Sequence, residues 1–210
     1  MPFETLIPDT HSFMAELAAN NSRDWFLENK ARFEETLKAP ATILMDVVAA
    51  DLQKISGAPV TAKLFRPHRD VRFSKDKTPY HTHLHMMWTS EKAGAYFFGI
   101  DLDKVVVGGG AMGFDKDRLT AFRTRLDGPK GADLARILSE LQAQGFASSE
   151  PELKRVPSPF GADHTHAELL RRKSLSMWRP VDEATPNLRN TLKGGFAALL
   201  PLQDWLSKLR

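Results

Sequence analysis

The chain contains no cysteine. That excludes disulfides, thiolate nucleophiles, iron–sulfur clusters and cysteine-ligated zinc, and leaves histidine and carboxylates as its strong metal ligands. It also lacks a long apolar run, since no stretch approaches the roughly 20 residues that cross a bilayer. Glu4, Asp9 and Glu16 interrupt the N-terminal region where a secretory signal would need an unbroken apolar segment. We therefore expect a cytoplasmic protein with no membrane partner. Internal repeats and low-complexity tracts are missing too. A broad basic face is not expected either, because the pI of about 9.2 rests on a formal net charge of only +3, too small a surplus for a general nucleic-acid binder.

What is present describes an ordinary globular chain. The 210 residues are 42% hydrophobic and 26% charged, which suits one domain spanning 1–210 with a real core. The N-terminal quarter reads as helices. Asp9 is the expected N-cap for Thr10 to Ala19, Ser22 for Arg23 to Leu37, and a third helix runs from Pro40 to Ile55 before Gly57-Ala58-Pro59 ends it. From Thr61 the pattern changes to short strands: Ala62 to Phe65, Asp70 to Phe73, Thr82 to Thr89, Gly94 to Leu102 and Lys104 to Val107. Their connections are too short for crossover helices, so the sheet should be an antiparallel meander, with Asp101 to Lys104 as a tight turn. Helices return at Lys116 to Leu126, capped by Asp115, and at Ala132 to Gln144. Residues 147–163 read as a loop, His166 to Lys173 as a short helix and Ser174 to Arg179 as a strand. Pro186 to Arg210 should be helical with a break at Gly194-Gly195 or Pro201. The expected fold is α+β, with N-terminal and C-terminal helices packed on one antiparallel sheet.

One segment stands apart chemically. Between Arg66 and Lys77 lie five Lys/Arg (66, 69, 72, 75, 77) and two Asp (70, 76), a surplus of 5 − 2 = +3 that equals the net charge of the whole chain. In an extended segment Val71 and Phe73 would face the core while Asp70 and Arg72 face outward, Asp70 fixing an arginine as a planar fork for phosphate or carboxylate. The plain alternative is a set of surface ion pairs of little energetic weight. Local pairing does not neutralise Lys75 and Lys77 as well, which favours an anion-facing loop. No G-x-x-x-x-G-K-S/T occurs, so this is not a phosphate-binding P-loop.

His81, His83 and His85 alternate, which on a strand places three rings on one face, as metal ligands could be placed. No carboxylate accompanies them at a familiar metal spacing, and His164 and His166 are a separate pair, so no metal site is expected. A single ring, best placed at His83, or Tyr80, would serve as a proton-transfer group. Gly108 to Gly113 fits G-x-G-x-x-G, but the antiparallel context gives no βαβ unit and rules out dinucleotide binding. Gly109 and Gly110 either leave backbone N–H groups for an anion or only permit a tight bend. Glu168 and Arg172 suit an i,i+4 pair beside Arg171 and Lys173. The four tryptophans, 25, 88, 178 and 205, default to core packing.

The segment Phe65-Arg66-Pro67-x-Arg69-Asp70-x-Arg72-Phe73-Ser74-Lys75-Asp76-Lys77-Thr78-Pro79-Tyr80, the Gly108–Gly110 run and His166 to Lys173 together resemble the family catalogued as domain of unknown function 2461. The resemblance spans nearly the full chain. It implies a single-domain soluble protein and carries over no catalytic residue or cofactor. Against the family pattern, where position 81 is typically Lys and position 85 need not be His, the triple histidine is particular to this chain.

The functional expectation is therefore an enzyme or binding domain for a small phosphorylated or carboxylated molecule. Arg66, Arg69, Arg72, Lys75 and Lys77, with Gly109 and Gly110, would hold the anion. Asp70 would orient an arginine, and His83 or Tyr80 would move protons. The alternatives are a nucleic-acid-binding module using the same loop, or a non-enzymatic structural protein in which Arg and Asp form a stabilising network. Cofactor and oligomeric state are not specified by the sequence.

Overall fold

Alternation along Leu84–Ser90 sets the sheet. Leu84, Met86 and Trp88 are buried while His85 and Met87 between them are half-exposed, as period-two side-chain placement requires of a sheet covered on one face. The computed structural model describes residues 3–90 and 94–209. Five strands, β1 Thr61–Leu64, β2 Leu84–Ser90, β3 Gly94–Ile100, β4 Val105–Ala111 and β5 Leu175–Pro180, form one antiparallel sheet in the order β1-β2-β3-β4-β5. The expected turn closes β3 to β4, with the Asp101 N–H donating to the Lys104 carbonyl at 2.9 Å. The α+β meander with flanking helices is thus the fold of this chain.

The helices comprise α1 Leu6–Ala19, α2 Arg23–Glu28, α3 Lys30–Phe33, a π-helical turn Glu34–Lys38, α4 Ala39–Ser56, α5 Lys116–Asp127, α6 Lys130–Ala143, α7 Ala167–Leu170 and α8 Leu188–Ser207. Their ends follow local chemistry. The Ser22 hydroxyl accepts from Trp25 N–H and the Asp115 carboxylate from Arg118 N–H, while Gly57 closes α4 in the left-handed region at φ 65°. Among the described residues no helix is long and apolar enough to cross a membrane.

All major packing lies on one sheet face. Helix α8 buries Leu188, Leu192, Phe196, Leu199, Leu202 and Leu206, and Phe196 meets Trp88 and Tyr96 at ring separations of 5.4 and 5.1 Å. Burying one such ring contributes about 2–3 kcal/mol. Gly109 lets the helix sit this close, since a Cβ there would lie 2.6 Å from the Ala95 carbonyl and 3.0 Å from Gln203 Nε2. Helix α4 joins the same layer: Trp88 Nε1 donates to the Met45 carbonyl at 3.0 Å. Asp51 of α4 accepts two hydrogen bonds from Arg189 of α8, at 2.7 and 2.9 Å.

Several expectations are corrected. Helix α1 starts at Leu6, so Asp9 lies in its first turn rather than at its cap. The expected Arg23–Leu37 helix breaks at Asn29, and its C-terminal half passes through the π turn directly into α4. Asp70 to Phe73 is not a strand. Among the described residues no strand pairs with it, Asp70 instead holds Arg72 two residues on, and Phe73 is 96% exposed rather than core-facing. The glycines 108–110 are interior to β4 instead of preceding a helix. Helix α7 covers only 167–170 of the expected 166–173. Helix α8 runs unbroken through Gly194, Gly195 and Pro201. Pro201 and Ala197, four residues earlier, are both exposed, so the carbonyl that proline leaves without its helical donor is on the solvent side.

The Arg189 guanidinium holds the Asp51 carboxyl below the usual carboxylate range, and the Asp51 side chain is only 5% exposed. Arg189→Ala is expected to lower the urea midpoint of unfolding by leaving that charge without its partner. Asp51→Ala/Arg189→Ala should cost less than the single change; an equal or larger cost for the double variant would show that the ion pair does not set the effect.

Candidate functional site

The β1–β2 connection, residues 65–83, is a hairpin excursion that leaves the sheet already paired. Phe65 N–H donates to the His85 carbonyl at 3.0 Å, Arg69 N–H to Pro79 at 2.8 Å and His81 N–H to Pro67 at 2.7 Å. His68 and Tyr80 form a bridge between the two limbs. Both prolines act only as acceptors, so their missing N–H groups leave nothing unsatisfied. Asn21, just past α1, clamps the returning limb, donating from Nδ2 to the Tyr80 carbonyl at 2.9 Å and accepting the Tyr80 N–H at 3.1 Å.

Two aspartates order the hairpin tip. Asp76 accepts from the Thr78 N–H at 2.9 Å and from Arg69 Nη1 at 2.6 Å, while Arg69 also reaches the Thr78 carbonyl and hydroxyl. The Thr78 backbone N–H, followed by the Arg69 guanidinium, holds the Asp76 carboxyl down to about 2. Asp70 accepts from Arg72 Nε and Nη2 at 2.9 and 2.7 Å, which lowers its pKa. Lys77 donates to the Val71 carbonyl at 3.0 Å. Arg66 and Lys75 make no side-chain hydrogen bond among the described residues. The motif's charges thus sort into two internal ion pairs and three cations, Arg66, Lys75 and Lys77, that form no salt bridge among the described residues, although Arg66 is near enough to Asp70 to help lower its pKa.

Of the motif's cations, Arg66 reaches a concave surface. A cleft of about 380 Å³ lies between the helical wall of Phe26, Lys30, Phe33, Glu34 and Lys38 and the hairpin limb Leu64–His68. Its charged lining is Lys30, Lys38 and Arg66 against Glu34, a balance of 3 − 1 = +2, with Glu34 paired to Lys38 at 2.7 Å. Tyr80 is buried and stacks on Phe26 at 4.2 Å, and His68 packs its edge on both rings. Tyr80 therefore backs the cleft wall, and His68 is the titratable ring that lines it. Arg69, Arg72, Lys75 and Lys77 do not line this cleft. Lys30 and Lys38 were missed by sequence reasoning, since they come from a helix far from the motif and carry no local signal.

The histidines meet on the open sheet face. His81 and His83 lie 4.7 Å apart, and His83 stacks on His85 at 3.6 Å and 10°. Only His85 belongs to β2; His83 precedes it in a bend and His81 sits at the hairpin base, so the three are not aligned by strand alternation. Asp101, in the β3–β4 turn, supplies the carboxylate absent from the local sequence, with Oδ1 2.9 Å from His85 Nε2 and 3.9 Å from His83 Nδ1. Burial, then the neighbouring His85 and His81, pushes the His83 imidazole down to about 4. Burial and Arg69 lower His81. His83 is therefore a neutral ring at pH 7 and offers an anionic group no positive charge.

Other candidate residues lie elsewhere. Gly109 and Gly110 are buried in β4, paired with Tyr96 and Ala95 on one side and with Met177 and Ser176 on the other, so their backbone groups belong to the ladder. His164 contacts Asp127 at 3.1 Å and accepts the His166 N–H, apart from the sheet-face histidines. Arg172 pairs with Glu168 at 2.8 Å and with the Ser149 carbonyl, a structural contact that pins the 147–163 loop.

These features define a class: an α+β domain with an antiparallel meander covered by helices on one face, and a braced cationic hairpin beside a histidine-lined open face. The chain belongs to the family described as conserved hypothetical protein, DUF2461, whose profile matches residues 9–205. No curated protein and no solved structure matches it.

Asp76 tests the internal bracing of the hairpin. Its carboxylate, depressed in the folded state, stabilises the tip above the ordinary aspartate pKa, and that contribution is lost as pH falls through about 2. In an NMR titration of the Thr78 amide the transition should lie near pH 2 and move upward in Arg69→Ala. An ordinary aspartate titration in the unmodified protein would contradict the bracing.

Proposed function

We propose that the chain recognises a small carboxylated or phosphorylated molecule in the cleft between α2–α3 and the hairpin limb. The observation that carries this reading is that Arg66, Lys30 and Lys38 line one cleft together with Phe26, Phe33, Leu64 and Phe65. Small-molecule sites combine such a lining with a few placed polar groups, and the volume falls in their ordinary range. Arg66 supplies a planar donor fork for the anionic group. The phenylalanines accept an apolar or aromatic body, and His68 is the ring within reach for proton transfer. The proposed setting is the cytoplasm.

The hairpin tip supports a second reading. Phe73 stands 96% exposed with the Arg72 guanidinium 5.9 Å from its ring centre, and Lys75 and Lys77 follow it in the chain. An exposed aromatic among cations is the arrangement that single-stranded nucleic acid stacks upon.

One pair of titrations separates the readings, using phenyl phosphate and benzoate as small anions and a short single-stranded RNA as the polymer. The cleft reading expects saturable small-anion binding that weakens about tenfold or more in Arg66→Ala and in Lys30→Ala, the loss of a charge-assisted hydrogen bond, and is unchanged in Phe73→Ala. RNA binding that falls steeply with salt and is lost in Phe73→Ala, without small-anion binding, would replace it with the second reading. Small-anion binding indifferent to Arg66 would remove the cleft from consideration.

A further inference from the structure

The open face of the sheet carries a donor set that the anion cleft does not use. His83, His85 and Asp101 each offer one ligand atom, and these atoms all lie within 4.8 Å of one another. We propose that they form a binding site for a first-row divalent transition metal ion of the zinc type.

Four features support the site. First, the two separations from Asp101, 2.9 Å to His85 and 3.9 Å to His83, bracket the roughly 3.3 Å between neighbouring ligands of a tetrahedral ion with bonds of about 2.0–2.1 Å, and the His83 and His85 donors lie within 4.8 Å of each other. Second, two imidazoles and one carboxylate suit zinc, cobalt, nickel or iron, whereas magnesium and calcium favour oxygen ligands. Third, room for the His85 ring is built into the opposite strand. Residue 99, its direct partner in β3, is glycine, and a Cβ there would lie 3.0 Å from His85 Cδ2. Fourth, Phe97 and Phe65 flank His85 at ring separations of 5.0 and 6.5 Å, an apolar surround that lowers the local dielectric around a bound ion.

The three side chains are 21–27% exposed, so an ion has an entry path and retains coordination positions toward solvent. Three protein ligands with a remaining position match a reactive metal site rather than a closed structural one. The parallel stacking of His83 on His85 points their in-plane lone pairs into separate planes, so uptake requires one ring to swing. His83 is the mobile partner, because it precedes β2 in a bend while His85 is held in the ladder and by Asp101. His81 lies outside the donor set and serves as a control.

The inference does not depend on the anion cleft, and its test contains no anionic ligand. The full-length protein, dialysed against chelator, is titrated with Zn²⁺ by calorimetry and with Co²⁺ by visible absorption. Saturable binding of one equivalent is expected, with a Co²⁺ d–d spectrum displaced by Zn²⁺ and a metal-dependent rise in Tm. His83→Ala and Asp101→Asn should each weaken binding by about 100-fold or more, beyond the loss seen when even an outer-shell partner of a ligand is removed. His81→Ala should stay within a few-fold. Circular dichroism of the metal-free variants checks folding, and His85→Gln, which keeps a polar side chain in the slot opposite Gly99, repeats the test should His83→Ala misfold. Absence of saturable binding, or binding that survives both Asp101→Asn and His85→Gln, would overturn the proposal.

Discussion

The seating of α8 on β3 and β4 is the constraint on which the rest of the molecule depends. One amphipathic helix and its partner α4 cover a single face of a five-stranded meander, and the core continues from that interface into a Phe13, Phe26 and Phe33 cluster of the N-terminal helices and into Phe122 of α5. Phe196 against Trp88 and Tyr96, with Gly109 allowing close approach, fixes the distance between the layers. The opposite face has no such cover. His85, Met87, Phe97 and Trp178 remain half-exposed there, and an exposed face with aromatic and titratable side chains is where a sheet of this kind can do chemistry.

The limbs of the β1–β2 connection pack on Phe26 of α2 through His68 and Tyr80, while the tip beyond them orders many of its polar groups locally. Asp76 and Asp70 take up Arg69 and Arg72, the two root hydrogen bonds continue the ladder, and Asn21 holds Tyr80 from both sides. What began as a concentration of positive charge divides into a scaffold portion and a remainder. Arg66 lines the cleft with Lys30 and Lys38, while Phe73 and Lys75 are exposed at the tip and Lys77 turns back onto the Val71 carbonyl. The metal donor set lies across Phe65 from the cleft, since Phe65 lines the cleft and also contacts His85.

Much of the fold was legible because it rests on local signals. Short connections forced an antiparallel meander, Ser22 and Asp115 marked helix starts, and Gly57 marked an end. The failures are non-local. Alternation in Asp70–Phe73 imitated a strand, but a strand needs a neighbour, and the sequence does not state that none exists. Gly194, Gly195 and Pro201 predict a helix break, yet burial of the α8 apolar stripe overrides propensity. The family motif located the cationic hairpin but not Lys30 and Lys38, which meet Arg66 only through tertiary packing. Asp101 was the avoidable omission. In the β2–β3 hairpin paired positions sum to a constant, as in 84 + 100 = 184, so 83 + 101 = 184 sets Asp101 opposite His83 once that register is assumed.

The central claim is that the cationic hairpin tip braces itself and that the fold does not depend on it. Replacing residues 70–78 with a short Asn-Gly turn and measuring urea unfolding tests this directly. The tip's ion pairs are exposed and internal to it, so the account predicts a cooperative transition with stability within about 1 kcal/mol of the unmodified chain. Loss of cooperative unfolding, or a drop of several kcal/mol, would mean that the charges hold the domain together and would contradict the account.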